Sequence, residues 1–263
     1  MLHPSSTLKR YMMLAAVYVA AMSASPLVVA GVIIEGTRQI YPQQRREITV
    51  RLTNDDKKKP RLVQAWLDDG SPDQRPESSD VPFTLSPPVF RLDSGKSQAM
   101  RLSYTQQPLA QDRESLFWLN VLEVPPKTDE FDVAREDSDL NQLYFAFRIR
   151  TKVFFRPAGL AGKPEEAPSQ LRWAVVQSAR GPMLTVHNPS AYHVTFNDVA
   201  LVMGTDKGAR SVAAEPGMVA PGASLTLPVR QAVAVVPADA QVAFTYINDF
   251  GAFSPLQQAA LRR

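Results

Sequence analysis

Cysteine is absent from the 263-residue sequence, and only three histidines are present. The lack of cysteine excludes disulfides, thiolate metal sites and cysteine nucleophiles. With imidazole available only at His3, His187 and His193, histidine-based catalysis has little to work with. The sequence also lacks a phosphate-binding glycine loop, an H-E-x-x-H motif and a Gly-x-Ser-x-Gly motif. We therefore expect a protein that is not an enzyme, without catalytic residues, metal or cofactor.

A strong excess of charge of one sign is missing as well. Lysine and arginine number 29 against 26 acidic residues. Of the formal net charge of +3, two units come from Lys9 and Arg10 near the start of the chain. The other basic residues are interleaved with acidic ones, and no nucleic-acid-binding motif is present. We expect no nucleic-acid partner.

Apolar runs are short. Residues 11–22 follow Lys9 and Arg10 and are apolar, but they are too few to span a bilayer comfortably. A Ser- and Pro-containing break at 23–26 and small residues at 28–30 complete the pattern of a cleavable signal. Residues 1–30 are therefore predicted to be a signal peptide of an exported protein, with a membrane anchor as the alternative. No later stretch is long and apolar enough to predict a membrane span.

Proline is abundant, with 22 residues, which disfavours long helices. Alternating apolar and polar residues, separated by turn signals, predict many short strands. The clearest segments are 47–52, 62–67, 89–92, 98–104, 116–124 and 143–150, then 184–186, 192–196, 199–203, 225–229 and 242–247. We predict an all-β protein with a first sandwich domain over 31–157, a linker over 158–169 and a second sandwich domain over 170–263.

The strand predicted at 143–150 has an unusually bulky face. Leu143, Phe145, Phe147 and Ile149 share that face by the period of two. An ordinary sandwich core would explain the pattern. The strand follows a polar, acidic loop at 127–142, however, so it could also lie at a sheet edge, where it would be suited to completing the sheet of another protein.

Two cations are candidates for an anion site. Arg38 follows the predicted start of the mature chain, and Lys152 has the opposite parity from the Leu143 face. If the two lie near a common cleft, they could hold a carboxylate, because arginine can donate to both of its oxygens. The sequence alone does not place them together.

Several stretches, taken in order, resemble the periplasmic chaperones of the chaperone–usher pilus (fimbrial) assembly pathway, the PapD-like family. The resemblance covers nearly all of the chain after residue 30. The matching stretches are 31–38 (GVIIEGTR), 40–42 (IYP), 62–66 (LVQAW), 113–120 (RESLFWLN), 123–126 (EVPP), 152–157 (KVFFRP), 187–195 (HNPSAYHVT) and 246–251 (YINDFG).

This resemblance implies two immunoglobulin-like β-sandwich domains in an L or boomerang arrangement, located in the periplasm. It implies that an edge strand is lent to incomplete pilus subunits, which are then delivered to an outer-membrane usher. The lent side chains would be those of Leu143, Phe145, Phe147 and Ile149. Arg38 and Lys152 would anchor the C-terminal carboxylate of the subunit. Glu114, Arg156 and Asp249 would form a structural charge network between the domains.

Residues 127–154 form a long stretch, as in the long-loop branch of the family, but many members of that branch carry a disulfide there, which this chain cannot form. The branch, the subunit and the fibre are therefore left open, as is self-association that would cover the edge of the free protein. The alternative function is a secreted two-domain adhesion or carbohydrate-binding module.

Overall fold

The computed structural model describes residues 31–71, 74–126, 145–178, 181–204, 209–231, 233 and 235–262. The predicted signal peptide, the acidic loop at 127–142 and Leu143 lie outside the described residues. Within them, no helix is long and apolar enough to cross a membrane. Two short 3-10 turns, Pro76–Ser78 and Ala167–Gln170, accompany a fold made almost entirely of strands.

The first domain consists of two sheets. Its strands are β1 (Val32–Ile34), β2 (Arg38–Pro42), β3 (Glu47–Asn54), β4 (Arg61–Asp68), β5 (Phe83–Ser86), β6 (Val89–Leu92), β7 (Ser97–Tyr104), β8 (Ser115–Val124) and β9 (Phe147–Arg156). One sheet has the order β1-β3-β7-β5, and the other has the order β2-β9-β8-β4-β6. All pairings are antiparallel except that of β2 with β9.

The core of the first domain lies between these two sheets. Val50, Leu52 and Leu102 come from the first sheet, and Leu119 and Val153 come from the second. None of the five is more than 1% exposed. Their neighbours along each strand are more polar, so the alternation seen in the sequence becomes a buried face and a solvated face.

The second domain is built on one continuous sheet. Its strands are β10 (Arg172–Ser178), β11 (Gly181–His187), β12 (Val194–Met203), β13 (Arg210–Ala214), β14 (Met218–Val219), β15 (Ser224–Pro228), β16 (Gln241–Tyr246) and β17 (Gln257–Arg262). The order is β13-β12-β16-β17-β10-β11-β15, with β14 paired to β12. Ala214 of β13 and Leu227 of β15 share one core cluster around Trp173. The two ends of the sheet therefore fold back on each other, and the prediction of an all-β, two-domain protein is confirmed.

The connection between the domains packs against the second one. Leu160 is partly buried against the second core, and Ala167 is fully buried in it. The hydroxyl of Tyr192 donates to the carbonyl oxygen of Gly162 at 2.9 Å. Part of the segment predicted as a linker is thus held on the surface of the second domain.

Candidate functional site

Strand β9 begins later and ends later than the sequence predicted. It runs from Phe147 to Arg156, whereas the alternation favoured 143–150. The last pair with β8 joins Phe147 to Glu123. Pro125 and Pro126 come directly after the last residue of β8, and proline has no N–H to donate. The ladder between the two strands therefore ends at this point.

Half of β9 has a strand on only one side. The parallel partner β2 begins at Arg38, opposite Lys152, and covers β9 from there to Arg156. Residues 147–151 pair with β8 alone within the described chain. We call these five residues the open edge. No second strand of the described chain covers this edge, and an edge of this kind can pair with another chain.

The apolar side chains next to the open edge are exposed. Phe145 is 59% exposed and Phe147 58%, and their ring centroids are 6.3 Å apart. Ile149 is partly buried, whereas Val153 on the same face is fully buried. The face predicted from the period of two therefore exists for Phe145, Phe147 and Ile149. The exposure of this face increases from Val153 towards Phe147, the first residue of β9.

Arg38 is held between the two domains. Its guanidinium donates from Nη1 to the carbonyl oxygen of Ile247 in the second domain at 2.9 Å. Its Cζ lies 5.6 Å from the ring centroid of Phe154. The residue is only 9% exposed, and its buried Nε has no hydrogen-bond partner among the described residues.

Lys152 is the register partner of Arg38. Its Nζ lies 5.3 Å from the ring centroid of Trp118. Within the described residues, neither Lys152 nor Arg38 forms a salt bridge. Burial lowers the pKa of both groups. The nearby Arg38 charge lowers the pKa of Lys152 further, while Asp249 and Glu114 act in the opposite direction on the pKa of Arg38. Such a pair favours a bound anion.

The structure brings Glu114, Arg156 and Asp249 together. Arg156 donates from Nε to Oε1 of Glu114 at 2.8 Å, and from Nη1 and Nη2 to the two carboxylate oxygens of Asp249 at 2.6 and 3.0 Å. Glu114 and Arg156 belong to the first domain and Asp249 to the second. Burial opposes the charge on Arg156, but the two carboxylates outweigh this effect and raise its pKa. The network joins the domains.

His193 adds a contact that the sequence did not indicate. Its backbone N–H donates to Oε2 of Glu114 at 2.8 Å, and its Nδ1 lies 3.2 Å from the same oxygen. The other oxygen of Glu114 is used by Arg156, so this buried carboxylate is satisfied from both domains. His187 lies elsewhere, with its Nδ1 3.2 Å from the Ser224 hydroxyl.

A second charged cluster was also missed. Arg148 and Arg150 lie on the same face of β9 as Lys152, and both contact the buried carboxylate of Asp68. The spacing of Arg148, Arg150 and Lys152 by two was the available signal. Asp68 gave no signal, because it comes from β4, far away in sequence.

Comparisons with known proteins identify the family. A family model described as pili and flagellar-assembly chaperone, PapD N-terminal domain, matches residues 31–161, and one described as pili assembly chaperone PapD, C-terminal domain, matches residues 166–258. The probable fimbrial chaperone YadV of Escherichia coli K12 is 40% identical over 235 residues, covering 89% of this chain and 92% of YadV. The chaperone protein FimB/FhaD of Bordetella pertussis is 37% identical over 246 residues, covering 91% and 93%.

Solved structures agree. The crystal structure of the YadV chaperone matches with a TM-score of 0.72 and 37% identity, covering 88% of this chain and all of that one. The SafB chaperone of Salmonella enterica, solved in complex with the SafA pilin, matches with a TM-score of 0.68 and 26% identity, covering 90% and 99%. The chain therefore belongs to the PapD-like family of pilus-assembly chaperones.

Proposed function

We propose that this protein is a periplasmic chaperone that binds and stabilises pilus subunits by donor-strand complementation and delivers them to an outer-membrane usher. The observation that carries the proposal is the position of the cation pair. Arg38 and Lys152 lie at the point where β2 stops covering β9, which is one end of the open edge. The cations proposed to hold the carboxylate thus adjoin a strand edge that no second strand of the described chain covers.

The proposed anchor implies the direction of the incoming strand. β9 runs from Phe147 towards Lys152, so a strand that places its C-terminal carboxylate at Lys152 and extends back along the open edge runs parallel to β9. Five residues at about 3.3 Å each give a ladder of roughly 17 Å. The guanidinium of Arg38 and the ammonium of Lys152 would bind the carboxylate.

In this proposal, the apolar face of the strand contributes most of the binding free energy. In the proposed complex, Phe145, Phe147 and Ile149 enter the groove of a subunit that lacks its last strand, and Leu143, outside the described residues, extends the same face. Each large apolar side chain buried contributes roughly 1.5–3 kcal/mol. The anchored carboxylate fixes the register, because a slip of one residue would turn the opposite face of the strand into the groove.

The charge network has a supporting role in this proposal. Glu114, Arg156 and Asp249 hold the two domains at a fixed angle, so that Arg38 keeps its contact with Ile247. The proposed role requires no catalysis, metal or cofactor. The predicted signal peptide at 1–30 would export the protein to the periplasm, and SafB, a structural relative, was solved bound to a pilin.

Free protein must also protect its open edge. We include in the proposal that a second copy covers Phe145 and Phe147 when no subunit is present, because exposed apolar edges associate. Size-exclusion chromatography of wild type and of Phe147→Asp tests this part. A concentration-dependent dimer that the substitution abolishes supports it, and a monomer at all concentrations contradicts it.

Co-expression with candidate pilus subunits, followed by co-purification, tests the main proposal. We expect Arg38→Ala and Lys152→Ala each to reduce the recovered complex at least tenfold, while Arg101→Ala, which removes an exposed cation from β7 in the other sheet, leaves it unchanged. Unchanged recovery with both site variants would overturn the carboxylate anchor. Loss of surface fibres in cells that carry these variants and the usher would extend the result to delivery.

A further inference from the structure

The open edge poses a mechanical problem. In the part of the chain that the structure describes, residues 147–151 pair with a single strand, β8, and the ladder ends at Phe147. A strand end held on one side only is expected to open locally and often. A strand that must be presented in one register to another protein needs a device that prevents this opening.

Asp68 provides such a device. It is the last residue of β4, and its carboxylate is fully buried. Oδ1 accepts from Nη2 of Arg150 at 2.7 Å and from the backbone N–H of Gly70 at 2.8 Å. Oδ2 accepts from Nδ2 of Asn120 at 2.6 Å and from Nη2 of Arg148 at 3.4 Å. One carboxylate thus accepts hydrogen bonds from one side chain of β8 and from two side chains of β9. We call Asp68, Asn120, Arg148 and Arg150 the Asp68 cluster.

Two tryptophans reinforce the cluster. The Cζ of Arg148 lies 5.0 Å from the ring centroid of Trp66, and the Cζ of Arg150 lies 4.9 Å from that of Trp118. Arg148 also donates from Nε to Oδ1 of Asn120 at 2.9 Å. Guanidinium groups that stack on aromatic rings and donate to fixed acceptors have little freedom to move.

Within β9, the cluster contains only residues of the open edge. Arg148 and Arg150 are two of the five residues of that edge, and both lie on the face opposite Phe147 and Ile149. Fixing the charged face of β9 against its own sheet therefore keeps Phe147 and Ile149 on the opposite face, which is the face that Val153 buries in the core. The same carboxylate offsets the repulsion among Arg148, Arg150 and Lys152, which follow one another at a spacing of two along one face.

We infer that Asp68 is a positioning residue: through Arg148 and Arg150 it fixes the register and orientation of the open edge before a subunit arrives. A buried ion pair contributes little to net stability but can select one arrangement among several. In β9 the selected arrangement is the one in which the strand is ready to pair. The functional part of this inference rests on the proposed function, because the pre-set strand matters only if it is lent.

Hydrogen–deuterium exchange of the free protein tests the inference without any subunit. Asp68→Asn keeps the size of the side chain and removes its charge. We expect the amides of residues 147–151 that pair with β8 to exchange roughly 10- to 100-fold faster, since the charge-assisted hydrogen bonds from Arg148 and Arg150 to Asp68 are weakened. Amides of β3 and β7 should keep their exchange rates, after correction for any change in global stability.

Asp56→Asn is the matched control. Asp56 is also buried in the first domain and pairs with an arginine, Arg61, at 2.9 Å, but its partners in the described chain lie outside β9. It should leave the open edge at the wild-type exchange rate. If both variants raise exchange at 147–151 equally, or if Asp68→Asn raises it only in step with global unfolding, the inference is overturned.

A second variant covers the case in which Asp68→Asn does not fold. Arg150→Met removes the contact from the strand side and keeps most of the apolar stem. It should produce the same local acceleration, and wild-type exchange at the open edge would overturn the inference.

Subunit capture separates the two proposals. Reduced recovery with Asp68→Asn and with Arg38→Ala supports both. If Arg38→Ala has no effect while exchange at the open edge still rises in Asp68→Asn, the carboxylate anchor fails and the positioning role stands. If capture depends on Arg38 but exchange does not change in Asp68→Asn, the positioning role fails alone.

Discussion

Arg38 and Lys152 lie directly opposite each other in the parallel pairing of β2 with β9, so two cations occupy neighbouring strands next to the last residue of the open edge. Both are partly desolvated, and burial lowers the pKa of each. An arrangement of this kind costs stability in the free protein and is expected where a site is prepared for a charged partner.

Lys152→Met should therefore stabilise the free protein while weakening subunit capture. The change removes a like charge beside Arg38 and keeps the apolar stem on Trp118. We expect a gain of about 1 kcal/mol or less, because water still screens a partly exposed group. Urea unfolding measures the gain, and Lys96→Met, which alters an exposed lysine, is the control. A lower urea midpoint for Lys152→Met would contradict the prediction.

The same substitution predicts a pH dependence. The pKa of Lys152 is below its ordinary value of 10.5 in the folded state, so the unfolded chain binds the proton more tightly. The cost of the buried charge is fully present at neutral pH and disappears as the pH rises through the lowered pKa towards 10.5. The stability difference between Lys152→Met and wild type should shrink over that window. A constant difference from pH 7 to 10.5 would rule out this explanation.

Substitutions at two positions on one face of β9 should affect subunit capture and stability differently. Phe147 is 58% exposed, so Phe147→Asp should change the free energy of unfolding by only about 0.5 kcal/mol while abolishing subunit capture. Val153 lies on the same face but is fully buried, and Val153→Ala should cost about 2 kcal/mol. Urea unfolding and co-purification of the two variants form a matched pair. Equal destabilisation by both would mean that the Phe147 side chain packs in the native core.

The features of β9 that depend only on neighbouring residues could be predicted from the sequence. Alternation placed Phe145, Phe147 and Ile149 on one face and Lys152 on the other, because the period of a strand is local. The first residue of β9 was predicted too early. It depends on where β8 can pair, and the prolines that end β8 are more than twenty residues away in sequence.

Partners that are distant in sequence could not be derived from residues alone. Nothing in the sequence pairs Arg38 with Lys152, and only the family resemblance placed them together. Asp68 has no local pattern that distinguishes it from the exposed aspartates around it, yet it is fully buried under two arginines. Its role follows from the order of β9, β8 and β4 in one sheet, which is a property of the whole domain.

Arg156→Met should destabilise the protein strongly. It leaves the nearly buried carboxylate of Glu114 without its cationic partner and removes both bonds to Asp249. We expect a loss of about 3–5 kcal/mol in urea unfolding. Asp249→Asn should cost less, since Arg156 keeps Glu114. Small-angle scattering should show a larger radius of gyration for Arg156→Met, because the network joins the domains. An unchanged radius and a cost under about 1 kcal/mol would contradict a structural role.

Gly251 lies at a close approach between the domains. Its φ is +80°, and an added Cβ would lie 2.5 Å from Oγ1 of Thr37, the residue before Arg38. Gly251→Ala should therefore cost about 2–3 kcal/mol, of which the left-handed backbone accounts for about 1–2. It should also displace Arg38 from Ile247 and weaken subunit capture.

Two controls divide the cost of Gly251→Ala into its parts. Gly222 has a similar φ of +67° with open space around it, so Gly222→Ala should show the backbone cost alone and leave capture unchanged. Adding Thr37→Ala to Gly251→Ala should remove the steric part, because Oγ1 is the atom in contact. Urea unfolding and co-purification measure both effects. If Gly251→Ala and Gly222→Ala behave alike in both assays, contact between the domains at Thr37 does not position Arg38.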